Sequence, residues 1–174
     1  GSHIDYGYSN DRLTTVTDRL GHITSNAYDG AGRLVSITDA NGNVPLTNVY
    51  DASSRVVEQR DALGYATRFV YDLPAGRTVV TDPRGAVTTY QFDRNYRLVW
   101  GVDTLGARVA FSYDEFNNRI TVTDKMGNIT RYVYDANGNA TQQTDALGNT
   151  THTAYDADNR PLVGIDALGR ETHF

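Results

Sequence analysis

The 174-residue chain has no cysteine, one methionine, four prolines and no apolar run approaching the length of a membrane span. Without cysteine there are no disulfides and no thiolate metal sites. A hydrophobic content of 39% lies below that of a typical globular domain, so the core is expected to be thin and its burial to come from stacked sheets. The 16 basic residues are interspersed among 21 acidic ones for a net charge of −5, which leaves no basic face for a nucleic-acid backbone. No Ser-His-Asp or Cys-His set stands out, so no enzymatic activity and no cofactor are expected.

What the chain does have is a repeat. Eight times an aspartate is followed three positions later by glycine: Asp18/Gly21, Asp39/Gly42, Asp61/Gly64, Asp82/Gly85, Asp103/Gly106, Asp124/Gly127, Asp145/Gly148 and Asp166/Gly169. Successive aspartates stand 21 residues apart, except for one interval of 22. One supersecondary unit has been copied along the chain, and each copy is expected to contact mainly its neighbours.

The unit from Asp124 to Asp145 shows the chemistry. Aspartate opening a type I turn accepts hydrogen bonds from backbone amides ahead of it, and glycine three residues on supplies the positive φ that leads into the next strand. After the turn, Thr130, Tyr132 and Tyr134 share one face of a strand while Ile129, Arg131 and Val133 share the other. The first face recurs as Thr67, Phe69, Tyr71, as Thr88, Tyr90, Phe92, and as Val109, Phe111, Tyr113. Threonine, valine and aromatics suit a pleated surface. Each unit therefore reads turn, strand, turn, strand, and the fold class is all-β, an array of antiparallel hairpins with no major helix.

A second turn follows an aromatic-Asp pair: Tyr28-Asp29, Tyr50-Asp51, Tyr71-Asp72, Phe92-Asp93, Tyr113-Asp114, Tyr134-Asp135 and Tyr155-Asp156. Arginine stands four residues after the aspartate at Arg33, Arg55, Arg97 and Arg160. Such an arginine either ties its turn to a neighbour through carboxylate or backbone bonds, or belongs to a row presented to an anionic ligand. Arg77 and Arg119 come five residues after theirs, so their turns are expected to absorb one extra residue. The longer unit from Asp39 to Asp61 holds Pro45, where a bulge or edge irregularity is expected.

Three candidate sites compete with a purely architectural reading. His152 and His173 hold equivalent repeat positions and with a turn carboxylate would suit a metal, but ladder packing accounts for them, as turn formation accounts for the aspartate rows without calcium. Trp100 occupies a strand position held by Thr121, Val79 or Ser36 elsewhere. With Tyr90 and Tyr132 it is the candidate contact for a glycan, against the alternative that these rings pack within the ladder.

The Tyr-Asp pairs, the downstream arginine and the Asp-x-x-Gly turn together resemble the YD repeat of Rhs proteins, from about Leu13 onward. The resemblance implies a long sheet of hairpins that spirals into a hollow shell. In bacterial Rhs proteins and the C component of Tc toxins such a shell encloses a C-terminal toxin, and an aspartyl autoprotease beyond the repeats releases it; in teneurins similar repeats form an extracellular adhesion scaffold. By this resemblance the chain is a structural segment of a secreted or cell-surface protein, partnered by the rest of its shell and the toxin. Residues 1–3 read as a tag-cleavage remnant and 4–174 as about eight tandem units truncated at both ends. Strand edges near Leu13 and His173 are expected to pair between copies.

Overall fold

A computed structural model describes residues 3–174; of the expected tag remnant, Gly1 and Ser2 lie outside the described residues. The described chain forms 17 strands and no helix, so the all-β expectation holds. It divides into two compact units, one of residues up to 71 with 78–87, the other of residues 72–77 with 88–174.

The first unit is a meander of β1 (Asp5–Ser9), β2 (Arg12–Thr17), β3 (Ile23–Tyr28), β4 (Leu34–Thr38), β5 (Leu46–Tyr50), β6 (Val56–Arg60) and β7 (Ala66–Asp72), each antiparallel to the next. Most of β8 (Arg77–Thr81) also belongs to it. The second unit is a meander of β9 (Val87–Phe92), β10 (Leu98–Val102), β11 (Arg108–Tyr113), β12 (Arg119–Thr123), β13 (Ile129–Tyr134), β14 (Ala140–Thr144), β15 (Thr150–Tyr155), β16 (Pro161–Ile165) and β17 (Glu171–His173). Ordered pairing begins at Asp5, ahead of Leu13, where the sequence pattern first becomes regular.

Two kinds of hairpin alternate. Those closed by Asp-x-x-Gly turns keep an unbroken register, as between β12 and β13. Six hairpins closed by aromatic-Asp turns, those at Tyr28, Tyr50, Phe92, Tyr113, Tyr134 and Tyr155, carry a bulge in the second strand, one residue past its start. Val35, Val57, Val99, Ile120, Thr141 and Leu162 are the extra residues, and Thr14 is the equivalent in the first hairpin. A bulge twists the strand and interrupts the ladder locally.

The core is thin, as the composition implies. Among the described residues only Ala66 and Asn48 are buried, and no large side chain is fully so. The aromatic face is the more covered one: on β13 Tyr132 and Tyr134 are partly buried while Arg131 and Val133 are exposed. The extra residue near Pro45 falls between the turn and β5, where Val44 and Pro45 lie outside any strand and the β4–β5 ladder is cut to two pairs.

Candidate functional site

Both turn families are built alike, around one carboxylate. In Asp29, Oδ1 accepts from the amides of Ala31 and Arg33 at 3.0 Å each, and Oδ2 accepts from Arg33 Nε at 2.7 Å. In Asp124, Oδ1 accepts from Met126 and Asn128, and Oδ2 from Asn128 Nδ2. The residue three after the aspartate has positive φ in both families: Gly127 at 87° and Gly32 at 82°, but also Ser54, Tyr96, Asn117 and Asn159 at 60–69°. The same Oδ1 pattern serves Asp18, Asp39, Asp51, Asp61, Asp82, Asp93, Asp103, Asp114, Asp135, Asp145, Asp156 and Asp166. These hydrogen bonds hold the carboxyls of Asp29, Asp51 and Asp93 below the ordinary range, the amide of the fourth residue contributing most in each.

The glycines of the Asp-x-x-Gly turns have a narrower role than the other repeat residues. Gly21, Gly42, Gly64, Gly85, Gly106, Gly127, Gly148 and Gly169 all have φ of 79–87°. Each donates its amide to the carbonyl of its own turn aspartate at 2.9–3.1 Å. All eight are exposed, and a Cβ on any of them would meet nothing within 4 Å. Gly64, Gly85, Gly106, Gly148 and Gly169 therefore supply a backbone conformation, with open space where a side chain would stand. In the other turn family the space is filled, for a Cβ at Gly32 would run into the Arg12 guanidinium.

The tyrosine of each pair closes the bulge of the preceding hairpin. Tyr28 donates its hydroxyl to the Leu13 carbonyl, Tyr50 to Leu34, Tyr71 to Val56, Tyr113 to Leu98, Tyr134 to Arg119 and Tyr155 to Ala140, at 2.7–3.1 Å. In every case the acceptor is the residue just before the bulged one. The phenol thus supplies a donor where the ladder is interrupted. Phe92 lacks that hydroxyl, and Gln91 Nε2 instead donates to the carbonyls of Ala75 and Gly76.

The arginine joins one turn to the next. Arg33 lies over the Tyr50 ring at 4.7 Å, Arg55 over Tyr71 at 4.9 Å and Arg97 over Tyr113 at 4.8 Å. Arg33 Nη1 donates to the Asp51 carbonyl at 3.1 Å, and Arg97 Nη1 to the Asp114 carbonyl at 3.1 Å. Arg33 and Arg97 are each therefore paired with their own aspartate, stacked on the next tyrosine and bonded to the next turn. An arginine spent on these contacts is not presented to an anion. Arg160 pairs with Asp156 and Asp158.

The two five-residue spacings resolve differently. At Asp72 the turn does move on by one residue: Gly76 donates to Leu73 rather than to Asp72, and Arg77 reaches Asp72 at 2.9 Å. At Asp114 there is no extra residue to absorb. Asn118 takes the arginine's place, donating Nδ2 to Asp114 Oδ2 at 3.0 Å, and Arg119 is the first residue of β12, lying over Phe111 at 5.6 Å.

The binding candidates fall apart on register. Trp100 pairs with Gln91 and Ala110, whereas Tyr90 pairs with the adjacent Gly101, so Trp100 and Tyr90 occupy opposite faces. Arg108 covers Trp100 at 5.0 Å, and a Cβ at Gly101 would sit 3.3 Å from the Tyr90 ring. Tyr132 shares the tyrosine face and pairs with Gln143. His152 and His173 do not line up either: across β16, His152 faces Ile165 and through it Glu171, while His173 faces Val163. Among the described residues no three His, Asp or Glu side chains gather as metal ligands.

Sequence reading passed over one feature. The third turn residue is apolar in six Asp-x-x-Gly turns, and Leu20, Leu63, Leu105, Met126, Leu147 and Leu168 are 79–92% exposed. The recurrence at one repeat position was the available signal.

The family model described as RHS Repeat matches residues 7–44, 120–150 and 134–172, together more than half of the chain. No curated protein sequence matches it. Among solved structures, TcdB2-TccC3 is similar at TM-score 0.69 and 17% identity, over 96% of this chain and 10% of that one. TcdB2-TccC3 without its hypervariable C-terminal region gives 0.68 and 17%, over 91% and 10%. The Photorhabdus luminescens Tc holotoxin pore gives 0.63 and 12%, over 93% and 12%. The chain spans about a tenth of the length of these neighbours, and the likeness is one of fold. Its turns, bulges and tyrosines are those of a repeated structural unit, and the chain belongs to the RHS repeat family.

Proposed function

We propose that this chain is a stretch of wall in a larger YD-repeat shell, which encloses a C-terminal toxin effector and helps deliver it from a secreted or cell-surface protein. The observation that carries this reading is that the polar repeat residues are engaged either in closing their own turn, as the aspartates are, or in holding one hairpin on the next, as the tyrosines and Arg33 and Arg97 are. Asp29, Arg33, Tyr50 and Asp51 are all engaged in that ladder. Support comes also from TcdB2-TccC3, whose fold matches over 96% of this chain. No residue set supports an enzymatic role, and the outer strands β1 and β17 are the places where copies of the chain, or flanking repeats, are proposed to add.

Limited proteolysis of the parent protein tests the reading. Its C-terminal region is expected to resist protease while the array is intact and to become cleavable when Arg33→Ala and Tyr50→Ala are combined. A C-terminal region that is equally sensitive in both proteins overturns enclosure. The alternative, a carbohydrate- or protein-binding face, would rely on Tyr90 and Tyr132 without Trp100. Saturable binding on a glycan array, lost in Tyr132→Ala and kept in Trp100→Ala, would favour it.

A further inference from the structure

The arginine ladder has a gap. Over Tyr50, Tyr71 and Tyr113 the chain places its own guanidinium at 4.7–4.9 Å, but the turn before Tyr134 carries Asn118, and the arginine beside it lies over Phe111. Asn118 is long enough to reach Asp114 and too short to reach the next tyrosine. In its place is an open cavity of about 660 Å³ lined by Asp114, Phe116, Asn118, Tyr134, Asp135 and Gly138.

The cavity keeps the partners that a guanidinium uses elsewhere in the array. The Tyr134 ring corresponds to those under Arg33, Arg55 and Arg97. The Asp135 carbonyl takes the turn amide of Gly138 at 3.1 Å, as the Asp51 carbonyl takes that of Ser54 while also accepting Arg33 Nη1 at 3.1 Å. Asp114 Oδ2 is met by a neutral amide where Asp29 Oδ2 is met by a cation, and the cation nearby, Arg97, bonds the Asp114 backbone carbonyl rather than its carboxylate. Nothing bridges the gap from the far side, because the facing residue is Gly138. One repeat later the gap is spanned: Asn139 Nδ2 donates to Asp135 and also to Asn159 Oδ1, at 2.9 Å each.

We propose that the cavity over Tyr134 is a binding site for a guanidinium group, as carried by an arginine side chain of a partner segment. A planar cation stacks on the ring and donates from its edge to the Asp135 carbonyl and the Asp114 carboxylate, a fork that an ammonium does not reproduce. The site does not depend on enclosure of a toxin, and its test does not use one.

The test is an amide-resolved NMR titration of the chain with N-acetyl-arginine methylamide, methylguanidinium and N-acetyl-lysine methylamide at constant ionic strength. Both guanidinium probes are expected to shift Tyr134, Asp135 and Gly138 saturably, with a Kd on the order of millimolar, and the lysine probe to bind at least fivefold more weakly. A much tighter arginine derivative identifies the peptide as the source of affinity; equal affinities identify the head group. Asn118→Arg, which copies the arrangement of Arg33 and Arg97, is expected to abolish the shifts. Arg97→Asn combined with Asn117→Gly, which removes the facing amide that Arg97 now meets, is expected to create a second site, reported by Tyr113 and Asp114. Unsaturable shifts, an equal lysine response, undiminished binding to Asn118→Arg, or no new site in the Arg97→Asn, Asn117→Gly variant overturns the proposal.

Discussion

The guanidinium of Arg33 lies 4.7 Å over the ring of Tyr50 while its Nε and Nη2 both meet Asp29 Oδ2 at 2.7 Å. One side chain thereby fastens two turns, and the partners are about three-quarters covered, so solvent screens the contact less than at an exposed ion pair. Arg33→Ala is expected to cost about 1–2 kcal/mol, and Arg33→Lys most of that, because the fork and the stacking are lost with the charge retained. In a double-mutant cycle with Tyr50→Leu, the coupling is expected at about 0.5–1 kcal/mol from denaturant midpoints. Strict additivity would show that the stacking stabilises nothing.

The tyrosine hydroxyls are expected to differ in importance according to who else serves their acceptor. Tyr71 is the side-chain donor to the Val56 carbonyl, at 2.8 Å. The Leu34 carbonyl receives Tyr50 at 2.7 Å and Asn48 Nδ2 at 3.1 Å. Removing one donor leaves a part-buried carbonyl unsatisfied only in the first case. Tyr71→Phe should therefore lose about 1 kcal/mol and Tyr50→Phe clearly less, with Asn48→Ala restoring the full penalty to Tyr50→Phe. Equal losses from the two phenylalanine variants would contradict this account.

The period, the all-β class and the turns at Gly21, Gly42 and Gly127 were legible because turn chemistry is local: a carboxylate, two amides and a positive φ lie within five residues. The bulges were not, because Val35, Val57 and Val99 are ordinary strand residues whose extra position shows only in the partner's register. The purpose of the tyrosines was hidden with them, since an acceptor such as Leu13 becomes special only through the bulge beside it. Trp100 and Tyr90 could be named together as candidate contacts for the same reason: which face a side chain occupies depends on pairing across strands. Arg119 was misread by counting to an arginine when the turn counts to whatever follows the positive-φ residue, here Asn118 after Asn117.

Acid should loosen the array. The folded-state pKa values of Asp29, Asp51 and Asp93 are depressed, first by the amide of the fourth turn residue and further by the arginine side chain. A depressed carboxyl contributes stability that is present above its unfolded value near 3.9 and is lost as pH falls through the folded value. The melting temperature is expected to be flat from about pH 8 to pH 5 and to fall below pH 4. Asp29→Asn should remove part of that fall, since its amide does not titrate. A melting temperature that is constant down to pH 2 would rule out carboxylate-held turns as a source of stability.

Among the residues with positive φ, Tyr96 is the least suited to its place. It sits at φ 60° three residues after Asp93, where Gly32 and Gly138 occur in sister turns, and its side chain is 86% exposed. An L-residue in this region is disfavoured by roughly 1–2 kcal/mol through contact of Cβ with the backbone. Glycine removes that contact but gains unfolded-state freedom worth about 0.5–1 kcal/mol. The difference leaves Tyr96→Gly more stable by about 0.5–1 kcal/mol, with little packing to lose. Tyr96→Ala retains the Cβ and should change stability by less than about 0.5 kcal/mol. If alanine stabilised the chain as much as glycine, exposure of the ring rather than the backbone conformation would be the cause. If glycine destabilised it, the Tyr96 side chain would have to make a stabilising contact.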